Sequence, residues 1–214
     1  MAAMAMALRV VVPPHPLLSH WLTVLRDHQT PQPLFATGMA ELGRWLSYEA
    51  LRDWLPQRQL ELQTPVASVT GQVVDASAPL LAIVGLPAGL GLWQGAQAVL
   101  PAAQLALIGP ELQTVALPGA IGPTTGVLLF WPQLDEPEPL LALLDRLAEQ
   151  GISGQRLRLI TTLAAAPALH SLGERHGALT LYTAAIDPEL DEQGRIVPGI
   201  GAVTTRLLGY GESN

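Results

Sequence analysis

The sequence predicts one α/β domain, a mainly parallel doubly wound sheet flanked by helices and carrying a small arm or hood. Three observations lead there. Continuous apolar runs at residues 80–85 (LLAIVG) and 126–131 (GVLLFW) are what strands covered on both faces require. Between such runs lie amphipathic stretches of about ten residues, the alternation of a βαβ chain. The 214 residues, 49% of them apolar, suffice for a single sizeable core.

Taken in order, residues 1–12 (MAAMAMALRVVV) read as a strand or docking segment. No basic residue precedes their apolar part, and the run falls short of the roughly 20 residues a bilayer span needs. Leu18, Trp21, Leu22 and Leu25 have helical spacing within residues 17–27, and Pro31 and Pro33 end that helix. Leu42, Trp45, Leu46 and Ala50 mark a second helix over 39–54, stopped by Pro56. Residues 60–78 hold a possible hairpin arm. LLAIVG leads through Pro87–Gly91 into a helix over 93–100; strands follow at 104–108 and 114–117. GVLLFW runs into the turn PQLDEPEP, then a helix over 140–150 with Leu140, Leu141, Leu144 and Leu147 on one face. Residues 157–163, 168–176 and 179–183 complete a strand–helix–strand unit. In such sheets ligands sit beyond the carboxyl ends of the strands.

Composition narrows the function. The net charge is −7 and all 11 basic residues are Arg, which argues against a nucleic-acid surface. With no Cys, disulfides, thiolate metal sites and a Cys nucleophile are excluded. The five His show no HExxH spacing, and no Ser lies in GxSxG, so neither a metal site nor a Ser nucleophile is expected. A cytoplasmic protein without a membrane span or cofactor is the default.

Residues 181–201 (LYTAAIDPELDEQGRIVPGIG) carry the strongest signal. A strand ends at Ile186-Asp187-Pro188, an acidic turn closes at Gly194, and Ile196–Gly201 form an apolar turn. There Gly199 and Gly201 permit unusual torsions or close approach to a ligand. Such a segment can hold a flat polar ring by main-chain hydrogen bonds.

This stretch resembles the carboxyl-terminal signature of uracil phosphoribosyltransferases, YTAAID followed by YIVPG-GDAGDR. The opening also resembles the family, with His15, Pro16, Leu17, Leu22, Thr23, Leu25, Arg26, Asp27, Thr30, Phe35, Glu41, Tyr48, Glu49, Ala50, Arg52 and Asp53 matching. The resemblance implies a type I phosphoribosyltransferase-like fold, a homodimer, and the joining of uracil to phosphoribosyl pyrophosphate (PRPP) to make UMP. It further implies that main-chain groups of the IVPG segment read the uracil edge. Tyr182, Ile196, Gly199 and Gly201 are therefore the candidates for a pyrimidine pocket.

The phosphate positions depart from the family. Its ribose-phosphate loop DPMLATGGS corresponds to Trp131, Pro132, Gln133, Leu134, Asp135, Glu136, Pro137, Glu138 and Pro139. Prolines lack the amide and carboxylates repel phosphate; Asp135, Glu136 and Glu138 read instead as caps on the following helix. Its pyrophosphate loop RAGLGM becomes Pro87-Ala88-Gly89-Leu90-Gly91-Leu92, without the cation, and GDAGDR retains only Gly201 and Arg206.

From these departures the leading expectation is a non-catalytic homologue that cannot hold PRPP. It would act as a binding, scaffold or regulatory protein for an unidentified partner or a pyrimidine-like ligand, with no catalytic residue assigned. The alternative is an active uracil phosphoribosyltransferase with a rewired phosphate site. A third reading is a structural subunit anchored by some of the five Trp residues on exposed helical faces.

Overall fold

A computed structural model describes residues 7–100, 102–112, 114–116 and 121–210. The chain begins with β1 (Arg9–Val11), α1 (Pro16–Arg26) and α2 (Gln32–Leu51). His15 caps α1, its Nδ1 accepting from the Leu17 amide at 3.2 Å. Helix α2 starts seven residues earlier than the apolar spacing predicts. Pro31 is its cap residue and Pro33 sits in its first turn, where a missing amide costs nothing. The prolines expected to end one helix therefore begin the next.

β2 (Gln57–Gln63) and β3 (Ser68–Val74) pair as an antiparallel hairpin. β4 (Leu80–Gly85), α3 (Gly89–Ala96), β5 (Gln104–Ile108), β6 (Thr114–Ala116) and β7 (Gly126–Phe130) follow. Next come α4 (Glu138–Glu149), β8 (Leu157–Thr161), β9 (Ala164–Ala165), α5 (Ala166–His176) and β10 (Thr180–Thr183). The chain closes with β11 (Ile186–Asp187), β12 (Glu189–Leu190), β13 (Ile196–Val197) and α6 (Val203–Leu208).

The main sheet has the order β1-β10-β8-β7-β4-β5-β6, parallel except for β6. Every residue of β4, β8 and β10 is buried, so both faces are covered. The path from β4 through α3 to β5 runs one way across the sheet, and that from β7 through α4 to β8 runs the other. Right-handed crossovers then place α3 and α4 on opposite faces. α3 packs against α2, which also holds α1 and α6; α4 packs with α5. Backbones of α2 and α3 nearly touch: a Cβ on Gly43 would stand 1.9 Å from the Leu92 carbonyl oxygen, and one on Gly95 1.6 Å from that of Ala40.

None of the five Trp is exposed: Trp93 is buried, and Trp21, Trp45, Trp54 and Trp131 are half-buried against the core. The expectation of exposed Trp anchors is corrected accordingly, because these rings pack against the hydrophobic core. No helix among the described residues is long and apolar enough to cross a membrane.

Candidate active site

The carboxyl ends of β4, β7, β8 and β10 deliver the loops in which a ligand would sit. After β4, the Leu86 amide donates to the Ile108 carbonyl at 2.8 Å, and the Leu86–Pro87 peptide is cis. Ala88 and Gly89 are buried, and a Cβ on Gly89 would lie 2.9 Å from the Phe130 carbonyl oxygen. These two residues hold the start of α3 against β7. Of this segment, Gly85 and Leu86 reach the adjoining cleft.

After β7, residues 131–135 are fastened to the end of β8. The Trp131 amide donates to the Ile160 carbonyl (2.9 Å) and Leu134 to Leu163 (2.8 Å), while Ala165 donates to Leu134 (2.9 Å). The Thr162 hydroxyl bonds the Pro132 carbonyl. This segment is thus a fixed ledge. Asp135 does not cap α4: its carboxylate accepts from the Glu136 amide (2.9 Å) and the Gln133 side chain. Pro137 is the cap residue and supplies no side-chain bond. The helix-capping expectation is therefore corrected for Asp135, which stiffens the turn before the helix, whereas Glu138 does lie in the first turn of α4.

Together these loops and the start of α6 enclose a cleft of about 230 Å³. It is lined by Gly85, Leu86, Trp131, Pro132, Gln133, Asp135, Glu136, Pro139, Val203 and Thr204. No basic side chain is among them. The amino terminus of α4, with its partial positive charge, adjoins this space. Among the described residues no group of three His, Asp or Glu could hold a metal ion.

The base-side loop is built around Asp187. Its carboxylate, 4% exposed, takes a two-pronged ion pair from Arg26 (2.6 and 2.9 Å) and a hydrogen bond from the Gly199 amide (2.9 Å). Arg26 also donates to the Gly199 carbonyl at 3.0 Å. Burial alone would push the Asp187 carboxyl up. The Arg26 and Gly199 hydrogen bonds and the Arg26 charge outweigh it and hold the group below the usual carboxylate range. Gly199 has φ +64°, and a Cβ there would fall 2.1 Å from the Ile196 carbonyl oxygen. Arg206 secures the far side, donating to the Ile200, Leu25 and Asp27 carbonyls and lying over the Phe35 ring.

Pro198, Gly199, Ile200 and Gly201 face a second cleft of about 400 Å³, with Thr205 and Arg206 on its wall. The start of α6 borders both clefts, Val203 and Thr204 lining the first and Thr205 and Arg206 the second. Ile196 is buried beneath the loop. Tyr182 lies in the core, 3% exposed, and lines neither cleft. Burial pushes its phenol above the ordinary value, against the downward pull of Arg158 and Arg9. Sequence reasoning singled out Asp187 and Arg26 only as separate motif letters; nothing in the sequence pairs residues 161 positions apart.

A family model described as uracil phosphoribosyltransferase matches residues 12–209. A uracil phosphoribosyltransferase of Synechococcus elongatus is 44% identical, covering 96% of this chain and 99% of that protein. The chain belongs to the uracil phosphoribosyltransferase family. A second member, from Synechocystis, is 43% identical over 96% of this chain and 100% of its own length. The solved structure of the AQ2163 protein from Aquifex aeolicus superposes with a TM-score of 0.80 at 23% identity, covering 95% of this chain and 100% of that one, and shares the fold. The type I phosphoribosyltransferase-like α/β architecture follows from this membership and from the parallel sheet.

The expectation of a non-catalytic homologue is overturned. Relatives 41–44% identical across 96% of this chain are named uracil phosphoribosyltransferase.

Proposed function

We propose that this chain is an active cytoplasmic uracil phosphoribosyltransferase. It joins N1 of uracil to C1 of the ribose of PRPP, breaking the C1–O bond to pyrophosphate, releasing the N1 proton to solvent and yielding UMP. The single observation supporting this is the identity of 41–44% with proteins of that name over 96% of the chain.

Chemically, the reaction needs a fixed base, a fixed ribose phosphate and relief for the departing pyrophosphate. In this reading the rigid main chain of residues 196–201, held by Asp187 and Arg26, receives the uracil edge. The phosphoribosyl group enters the cleft beside Trp131, where the Thr204 hydroxyl and the Gln133 amide group meet it. Glu136 and Asp135 are compatible with pyrophosphate only when a divalent cation arrives on it, as Mg²⁺ commonly binds through one or two carboxylates plus phosphates. Purified protein given labelled uracil, PRPP and Mg²⁺ should form UMP; no turnover at saturating substrates would refute the proposal.

The same reading carries a homodimer. The β2–β3 hairpin leaves Leu60, Leu62, Val69 and Val74 exposed, and an isolated two-stranded hairpin is marginal in water without something to pack on.

A further inference from the structure

A cavity lies at the opposite edge of the sheet from both clefts. It opens where β1, β4, β7, β8 and β10 begin, holds about 800 Å³, and includes Arg9, Trp54, Leu80, Gly126, Arg158 and Thr180 in its wall. Its charged lining residues are Arg9, Asp53, Arg156 and Arg158, three cations and one carboxylate in a chain of net charge −7.

The cations are poorly compensated. Arg158 sits in the fully buried strand β8 and is only 8% exposed. Its Nε has no hydrogen-bond partner. Its nearest carboxylate oxygen, on Asp53, is 3.9 Å away, and its guanidinium stands 5.7 Å from the Trp54 ring centre. Arg156 is held in place by the carbonyls of Gly122, Thr125 and Gly151, and among the described residues no carboxylate pairs with it or with Arg9. Trp54 is itself fixed, donating to the Gln155 carbonyl at 2.9 Å and standing over Gly126. A buried guanidinium without full pairing is a standing cost to the fold, which an incoming anion would relieve. Arginine also suits phosphate and carboxylate by its planar fork, and the volume is that of a metabolite pocket.

We propose that this cavity binds a small multiply charged anion bearing phosphate or several carboxylates, at a site separate from the clefts assigned to uracil and PRPP. Calorimetric titration of the full chain at constant ionic strength, with inorganic phosphate in one arm and citrate in the other, tests it. Saturable binding of either anion is expected, and the arm that responds identifies the chemistry. Arg158→Gln and the exposed-strand variant Arg9→Gln should each weaken it at least tenfold, while Thr204→Ala, at the opposite edge, leaves it unchanged. Arg9→Gln keeps the test valid should the buried variant misfold. Absence of saturable binding, or loss with Thr204→Ala but not with Arg9→Gln, would overturn the proposal.

Discussion

Trp131 fills the space that a side chain on residue 85 would need. Its Cε3 stands 2.8 Å from the Cβ position built on Gly85, so the indole closes the end of β4 by packing where only bare backbone leaves room. Gly85→Ala should push the indole into the cleft it lines. The expected result is a rise of about tenfold in the KM for PRPP with the KM for uracil unchanged, since about 1.4 kcal/mol of lost binding corresponds to that factor. Equal changes in both constants would mean that the two clefts are not used as assigned.

Removing the Asp187 charge should cost both stability and base binding. Asp187→Asn leaves Arg26 partly buried without its counter-ion, a change worth about 3 kcal/mol by analogy with other broken pairs. Denaturant unfolding would show it as a lower midpoint at unchanged slope.

The same carboxylate predicts an acid transition. In the unfolded chain an Asp titrates near about 3.9, and folding holds Asp187 lower. Its contribution is therefore complete above that unfolded value and disappears as pH falls through the folded one. Thermal unfolding followed below about pH 4 should show a steeper loss of stability in the native chain than in Asp187→Asn.

Gly199 tests the geometry of the base loop. Any side chain there meets the Ile196 carbonyl oxygen and a left-handed torsion together. Gly199→Ala should raise the uracil KM more than tenfold while destabilising the fold by about 1–3 kcal/mol. A variant with native uracil affinity would place base recognition elsewhere.

Tyr182 offers the opposite outcome. It was a natural candidate for the pyrimidine pocket from the sequence, yet its ring is packed in the core away from both clefts. Tyr182→Phe should leave the uracil KM within twofold of native in steady-state assays.

Much of the fold is legible in the chain because its strands announce themselves. LLAIVG and GVLLF are buried on both faces, and continuous apolarity is their direct signature. The start of α2 is not legible in the same way, since a proline before a helix and a proline between helices look alike until the backbone is seen. Two-residue strands such as β12 and β13 carry no period; Asp191 organises that turn by accepting from Gln193 and Arg195. In the site, the loop 196–201 was readable as a main-chain surface, but its anchor was not, because Arg26 and Asp187 meet only through tertiary folding. Arg158 is likewise ordinary in sequence, and its incomplete pairing emerges only when five strand starts converge.

The clasp between Arg26 and Asp187 joins the first helix to the last loop across 161 positions. On a ribosome adding 5–20 residues per second, the arginine would wait roughly ten to thirty seconds for its partner to be made. The uracil-facing surface would then be among the last parts of a nascent molecule to take shape, and a polypeptide cut short before Asp187 would have nothing to organise it.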